Sequence, residues 1–123
     1  MKTVFQMLIL FISLAAFAQD PYLQKPNPEA TKEAITLTDR YNLELALTGE
    51  QKLLFQQKVA EFLIRRQKVE ENLTGKEKLD FLFQLQEEET AEMADILTRP
   101  QLQVYKEVRP DIQPLEVIKK KDD

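Results

Sequence analysis

The sequence predicts an all-α protein, in which a long antiparallel helical hairpin and shorter flanking helices precede an extended C-terminal tail. All 6 prolines lie outside the stretch from Glu29 to Arg99, so no proline removes a helical hydrogen bond there. The 2 glycines, Gly49 and Gly75, each directly follow a threonine. Between these breaks the apolar residues recur every three to four positions, which is the period of a helix with one buried face.

The first 18 residues have the pattern of a secretory signal peptide. Lys2 precedes a short apolar stretch, and the small residues Ala16 and Ala18 form a cleavage site, so the mature chain is expected to begin at Gln19. The apolar stretch is short for a helix that spans a bilayer, although a retained N-terminal anchor is the alternative. We therefore expect a periplasmic protein that has no stable membrane insertion after cleavage.

Four helices are expected after an extended leader over residues 19–27. Asn27 has the chemistry of an N-cap for the first helix, because its side-chain oxygen can accept a hydrogen bond from a free backbone N–H group. Pro28 fits the first helical position, where no N–H donor is needed. The helices are expected over residues 28–47, 49–72, 75–96 and 99–108.

The break between the second and third helices is only two to three residues long. Such a short connection makes the two helices antiparallel neighbours. Pro110 and Pro114 are expected to end the helical domain, which covers residues 28–109. An extended, charged tail is expected over residues 110–123.

After the predicted signal peptide, three threonines have a glutamine or glutamate three residues later, which is the pattern of a capping box at a helix start. The third of these boxes joins Thr74 to Glu77. A leucine precedes each threonine and can pack against the first turns of the helix as a hydrophobic staple. The other two boxes share one Leu-Thr-x-x-Gln frame, formed by Leu47, Thr48 and Gln51 and again by Leu97, Thr98 and Gln101.

The composition excludes most enzyme chemistry. The chain has no His, Cys or Trp, and its only serine, Ser13, lies in the predicted signal peptide. Nucleophiles activated by histidine and the preferred ligands of zinc and copper are therefore missing, and neither an enzyme nor a cofactor is expected. Loss of Lys2 with the signal peptide leaves 16 basic and 21 acidic residues, a net charge of −5, which disfavours nucleic-acid binding.

Charged clusters lie on both helices of the predicted hairpin. The acidic run Glu87, Glu88, Glu89 with Glu92 and Asp95 lacks the turning loop of a calcium site, so a solvated helix face is expected and no metal site.

A basic patch on the second helix is expected nearer to the phenylalanines of the third helix than to these acids. The patch can simply be a solvated face, or it can serve to attract polypeptide toward the neighbouring apolar side chains. Burial in one core or across a dimer is the more frequent reason for such apolar residues, and client contact is the alternative. The candidate contact residues are Phe55, Phe62, Phe81, Phe83, Met93, Arg65, Arg66 and Lys68.

The signal peptide, the small helical chain and the two Leu-Thr-x-x-Gln frames resemble the LTxxQ family of periplasmic stress proteins, the Spy and CpxP relatives. The resemblance covers roughly residues 29–108. It implies a long, bent helical hairpin that dimerises into a thin cradle. It also implies either an ATP-independent chaperone or an inhibitory partner of an envelope-stress kinase. The frame residues themselves are expected to be structural caps.

The sequence therefore predicts three candidate functions. The first is a chaperone-like protein that binds unfolded or partly folded polypeptides of the envelope, with weak and promiscuous contacts steered by charge. The second is a regulatory partner of one envelope sensor. The third is a structural accessory of an envelope complex that uses residues 111–118 as a docking arm.

Overall fold

The computed structural model describes residues 27–115, and this part of the chain is all-α, as predicted. The predicted signal peptide, residues 19–26 of the predicted leader and residues 116–123 of the predicted tail lie outside the described residues. Within residues 27–115, no helix is both long enough and apolar enough to cross a membrane. The helices are α1 (Pro28–Leu45), α2 (Gly49–Asn72), α3 (Gly75–Met93) and α4 (Arg99–Ile112).

Helix α1 begins as predicted and ends two residues early. The Asn27 side chain accepts a hydrogen bond from the Ala30 N–H group at 3.0 Å, and Pro28 occupies the first turn. At the other end Ala46 adopts a left-handed conformation with φ of 51°, and the Asn42 side chain accepts from the Leu47 N–H group at 2.7 Å. This side-chain bond replaces the next helical bond, so the predicted end near Leu47 is wrong.

Helices α2 and α3 form the predicted antiparallel pair. Lys58 bonds Glu92 at 2.6 Å, and Arg65 bonds Glu88 at 2.7 Å, so residue numbers fall along α3 as they rise along α2. Helix α3 ends at Met93, three residues before the predicted end, because the chain then tightens into a turn.

The third predicted capping box does not form. Thr74 precedes α3 in an extended conformation, but its side chain makes no capping hydrogen bond. The next residue, Gly75, has a φ of 63°. A capping box requires helical geometry directly after the cap, and this left-handed residue departs from that geometry. The threonine and glutamate are therefore in the right order without the bond that the pattern predicts.

Helix α4 continues past its predicted end through Pro110 to Ile112. Pro110 is exposed in the last turn, where it removes one backbone donor from the helix. The Arg109 side chain is bonded to α3, and the Arg109 carbonyl accepts from the Gln113 N–H group at 2.7 Å. These bonds hold the last turn in place, so the extended tail does not begin at residue 110.

The core lies where all four helices overlap. Its centre is an aromatic cluster in which the rings of Tyr41, Phe55 and Tyr105 lie 5.1–5.8 Å apart between centroids. All three side chains are fully buried. The predicted apolar stripe of α1 is confirmed, since each of its members is buried: Ala30, Ala34, Leu37, Tyr41 and Leu45.

Candidate functional site

Both Leu-Thr-x-x-Gln frames form the predicted capping boxes. The Thr48 hydroxyl accepts from the Gln51 N–H group at 3.1 Å, and the Gln51 side chain accepts from the Thr48 N–H group at 3.0 Å. The corresponding distances between Thr98 and Gln101 are 3.3 and 2.9 Å. Their preceding leucines, Leu47 and Leu97, belong to the core or pack against it. The frames are structural caps, as expected.

The two glutamines also bond to each other, which the sequence did not predict. The Gln51 Nε2 donates to Gln101 Oε1 at 2.7 Å, and the Gln101 Nε2 donates to Gln51 Oε1 at 3.1 Å. Each amide makes a further bond to the chain before the other frame. Gln51 donates to the Ile96 carbonyl at 3.1 Å, and Gln101 donates to the Leu45 carbonyl at 3.2 Å.

This amide pair gives one end of the molecule an approximate twofold arrangement. It joins the start of α2 to the start of α4. It also ties the start of α2 to the Ile96 carbonyl, in the turn after α3, and the start of α4 to the Leu45 carbonyl, at the end of α1. We call this end the base, and we define it by Leu45, Gln51, Ile96 and Gln101. The only sequence signal for it is the repetition of one frame, which does not reveal that the two copies meet.

The buried members of the candidate contact set cannot form a shared external surface. Phe55 and Met93 are 0% exposed and Phe62 is 4% exposed. Phe55 lies in the aromatic cluster, and Met93 belongs to the same core. The expectation that these three residues contact a client is therefore wrong for the folded chain, because other side chains of the chain already cover them.

Phe81 and Phe83 have a different environment from the buried members of the set. Their side chains are 47% and 54% exposed, while Leu82 between them is 4% exposed. Residues two apart on a helix point about 200° apart, so both phenylalanines flank the buried side of α3. Phe83 is therefore not part of the buried face of α3.

The phenylalanines lie on or beside a part of the hairpin that lacks a core of its own. From Leu63 to Phe81 no residue is fully buried. We call this part, residues 63–81, the tip. Five apolar side chains of the tip are half-buried, and one of them, Leu63, packs against the core cluster. They are Leu63, Ile64, Val69, Leu73 and Leu79.

The predicted basic patch is divided among three environments. Arg65 pairs with Glu88 at 2.7 Å and lies over the Phe62 ring at 4.5 Å, so the expectation that it lies away from the acids is wrong. Arg66 is half-buried and lines a small cavity together with Glu89. Lys68 is exposed on the tip. Among these three cations, Lys68 is therefore the most accessible to an external partner.

The acidic run of α3 is only partly a solvated face. Glu89 is buried and accepts a hydrogen bond from Arg109 Nη2 at 2.5 Å. The second terminal nitrogen of Arg109, Nη1, donates to the Thr90 hydroxyl at 2.6 Å and to the Gln86 carbonyl at 2.9 Å. The expectation of a solvated face is wrong for Glu89, because α4 places an arginine over it.

Burial raises the pKa of Glu89 to about 7, against the opposing effects of Arg109 and Arg66. Removal from water penalises the carboxylate more than the two cations favour it. Burial likewise raises the pKa of Tyr41 and Tyr105 above the usual range, so both phenols stay neutral. The sequence offered no sign that Glu89 and Arg109 pair with each other, because Glu89 lies in a run of three glutamates and Arg109 precedes a proline.

The space beside the ion pair is too small for a substrate. The cavity that Arg66, Glu89 and Arg109 line has a volume of about 20 Å³, which is room for one water molecule. Between residues 27 and 115, no group of three or more acidic side chains converges in a way that could hold a metal ion. The ion pair therefore connects α3 and α4, and the accessible candidate surface is the tip with its adjoining phenylalanines.

Comparison of the chain with protein-family models, with curated proteins and with solved structures finds no match.

Proposed function

We propose that this protein is an ATP-independent, chaperone-like protein of the periplasm that binds unfolded or partly folded polypeptides through the tip and the adjoining phenylalanines. The observation that carries the proposal is the exposure of Phe81 and Phe83, at 47% and 54%, on a hairpin that has no buried residue from Leu63 to Phe81. Unfolded polypeptides expose apolar side chains, and exposed apolar surface is where such side chains gain most by association.

The stability of the fold does not depend on these two phenylalanines. The core side chains are contributed by all four helices around Tyr41, Phe55 and Tyr105, and Phe81 and Phe83 are not among them. A client can therefore cover the phenylalanines without opening the core. Such a surface makes few directional bonds, which favours weak binding to many sequences over tight binding to one.

The charges on the tip are of both signs. Lys68 and Lys76 are exposed, and so are Glu70, Glu71, Glu77 and Asp80. Such a mixed surface does not select clients by net charge, which agrees with binding to many sequences, and salt screens these exposed charges. The resemblance of the two Leu-Thr-x-x-Gln frames to the LTxxQ family and the pattern of a signal peptide support the proposed compartment.

The test is suppression of client aggregation by protein purified after export. Two unrelated denatured clients are diluted into buffer without ATP, and light scattering is followed with and without the protein. The decisive variant is F81S/F83S, and the matched control is L43S/L53S, which changes two other exposed apolar residues near the base. Leu43 and Leu53 are 85% and 57% exposed. Circular dichroism checks that all proteins keep the same helicity.

Suppression of both clients by the wild type and by L43S/L53S, and its loss in F81S/F83S, is the expected result. No suppression by a folded wild type contradicts the proposal and favours a regulatory partner of a single envelope sensor. Equal suppression by F81S/F83S removes the tip and its phenylalanines as the binding surface. Loss of suppression only in L43S/L53S moves the surface to the base.

A further inference from the structure

We propose that the small cavity between α2, α3 and α4 binds one monatomic anion such as chloride, and that Glu89 takes up a proton from solvent when the anion enters. Arg66, Glu89 and Arg109 line this cavity and carry its charges. The existence of this anion site does not depend on whether the exposed surface of the tip binds clients.

A buried donor of Arg109 lacks an acceptor. The Arg109 side chain lines the cavity, the residue is only 6% exposed, and both of its terminal nitrogens donate to α3. Its third donor, the Nε–H group, is buried and meets no hydrogen-bond acceptor among residues 27–115. A buried donor without an acceptor is costly, and bound water or a bound ion is a common explanation of such a group.

The charges that line the cavity are predominantly positive. Arg66 reaches it from α2 and Arg109 from α4, and Glu89 is the only carboxylate among the described residues that line it. Within residues 27–115, Arg66 has no carboxylate partner of its own. Two guanidinium charges and one carboxylate charge therefore leave one positive charge in excess, and protonation of Glu89 leaves two. An anion in the cavity compensates this excess.

The size of the cavity selects a small ion. Its volume is about 20 Å³, which is room for one particle of the size of a water molecule. A chloride ion is only slightly larger than water, whereas sulfate, phosphate or an organic acid needs much more space. Apolar side chains make up much of the wall: Phe62, Leu63, Leu82, Leu85 and Leu115. In such surroundings the attraction between an anion and two cations is stronger than in water.

Glu89 is the group near the cavity whose charge changes around neutral pH. Burial raises its pKa to about 7, and an anion next to it disfavours the carboxylate further. The ionisable groups that act on Glu89 or respond to it are Arg66 of α2, Arg109 and Tyr105 of α4, Tyr41 of α1 and Glu92 of α3 itself. Both tyrosines stay neutral because burial raises the pKa of each phenol. Glu92 is bonded to Lys58 at 2.6 Å.

The surroundings of the cavity set the expected strength of binding. Arg66 also lines a neighbouring cleft of about 340 Å³. Three carboxylates line the same cleft, and their negative charge opposes an anion that enters past Arg66. They are Glu29, Glu33 and Glu70. Weak binding is therefore expected, which requires chloride in large excess over the protein.

Proton uptake and anion binding strengthen each other by linkage. Chloride affinity is expected to stay constant while Glu89 is protonated and to fall roughly tenfold per pH unit above about pH 7, because each anion enters with one proton. The site joins α3 to α4, so chloride is also expected to stabilise this contact below about pH 7.

The line width of the chloride NMR signal measures binding of chloride to the protein purified after export. Sodium gluconate keeps the ionic strength constant while chloride is varied, at pH 6 and at pH 8.5. The test variant is R66Q, which removes one of the two cations that line the cavity. Its matched control is R65Q, because Arg65 pairs with Glu88 and does not line the cavity. In a second variant, E89Q, a neutral amide replaces the carboxyl group, and circular dichroism checks the helicity of all variants.

The wild type and R65Q are expected to broaden the signal at pH 6 and to bind chloride at least tenfold more weakly at pH 8.5. R66Q is expected to lose at least tenfold in affinity at pH 6, because one cation is missing. E89Q is expected to bind chloride equally well at both pH values, because its side chain is neutral at both.

No broadening by the folded wild type at pH 6 overturns the anion site, because the cavity then holds water at most. Equal binding by R66Q and the wild type also overturns it, because the chloride is then bound elsewhere on the protein. Binding by the wild type that is the same at both pH values refutes the coupling to Glu89. Binding by E89Q that still falls between pH 6 and pH 8.5 refutes this coupling too, because another group then takes up the proton.

Discussion

The base and the tip lie at opposite ends of the α2–α3 pair, yet they differ in what holds them together. At the base, Gln51 and Gln101 bond to each other and to the Leu45 and Ile96 carbonyls, next to a core of fully buried aromatic side chains. At the tip, no residue is fully buried, and the capping threonine Thr74 makes no capping bond. Buried side chains are therefore concentrated at one end of the α2–α3 pair, whereas every side chain of the tip is at least partly exposed.

The largest expected difference between the two regions is in the cost of removing an aromatic ring. Phe55→Ala is expected to lower the free energy of unfolding by about 3–5 kcal/mol, because it leaves a cavity in the aromatic cluster. Phe83→Ala is expected to change it by less than about 0.5 kcal/mol, because the ring is half exposed. Urea unfolding followed by circular dichroism measures both. A similar cost for the two variants would show that Phe83 is covered, for example by a second copy.

A smaller effect is expected from Glu89, which connects α3 to α4 between the two regions. Its pKa is raised from 4.5 to about 7 by burial, so the folded state binds the proton more tightly than the unfolded state. The contribution of the Glu89 proton to the free energy of unfolding is therefore complete below about pH 4.5 and is lost as pH rises through about 7. The free energy of unfolding is expected to fall by at most about 1.4 kcal/mol per pH unit in this range.

The measurement is the free energy of unfolding of the wild type minus that of Glu89→Gln, taken from pH 4 to pH 8. This difference is expected to fall with pH and then to level off. Glu88→Gln is the control, because Glu88 is a neighbouring carboxylate paired with Arg65 whose side chain is 41% exposed. A difference that grows with pH would show that the attraction of Arg109 outweighs the effect of burial.

The smallest effects concern the three capping threonines and test the comparison directly. Thr48→Ala and Thr98→Ala are each expected to cost about 1 kcal/mol, because each removes a capping bond at the base. Thr74→Ala is expected to cost only a few tenths of that value, because no such bond exists at the tip. Thermal or urea unfolding of the three variants measures how much each substitution lowers the free energy of unfolding. An equal cost at Thr74 would mean that the third box forms in solution.

Much of the fold was predictable from the sequence because its signals are local. Asn27, Pro28, Thr48 and Thr98 mark helix starts through bonds between residues three apart, and the structure has helices at these places. Helix ends were predicted less well. The Asn42 side chain ends α1 early, and contacts of Arg109 with α3 carry α4 past Pro110. These two ends depend on side chains whose partners a periodic pattern does not specify.

The sequence by itself determined the all-α class, the antiparallel hairpin and the two glutamine-containing caps, because each follows from spacing along one stretch of chain. Only the tertiary structure decided that Gln51 meets Gln101, that Glu89 is buried against Arg109, and that Phe55 is core while Phe81 is exposed. These outcomes depend on residues 20 to 50 positions apart in the chain. Periodicity indicates that a helix has a buried face, but the packing of the other helices decides how far along that face the burial extends.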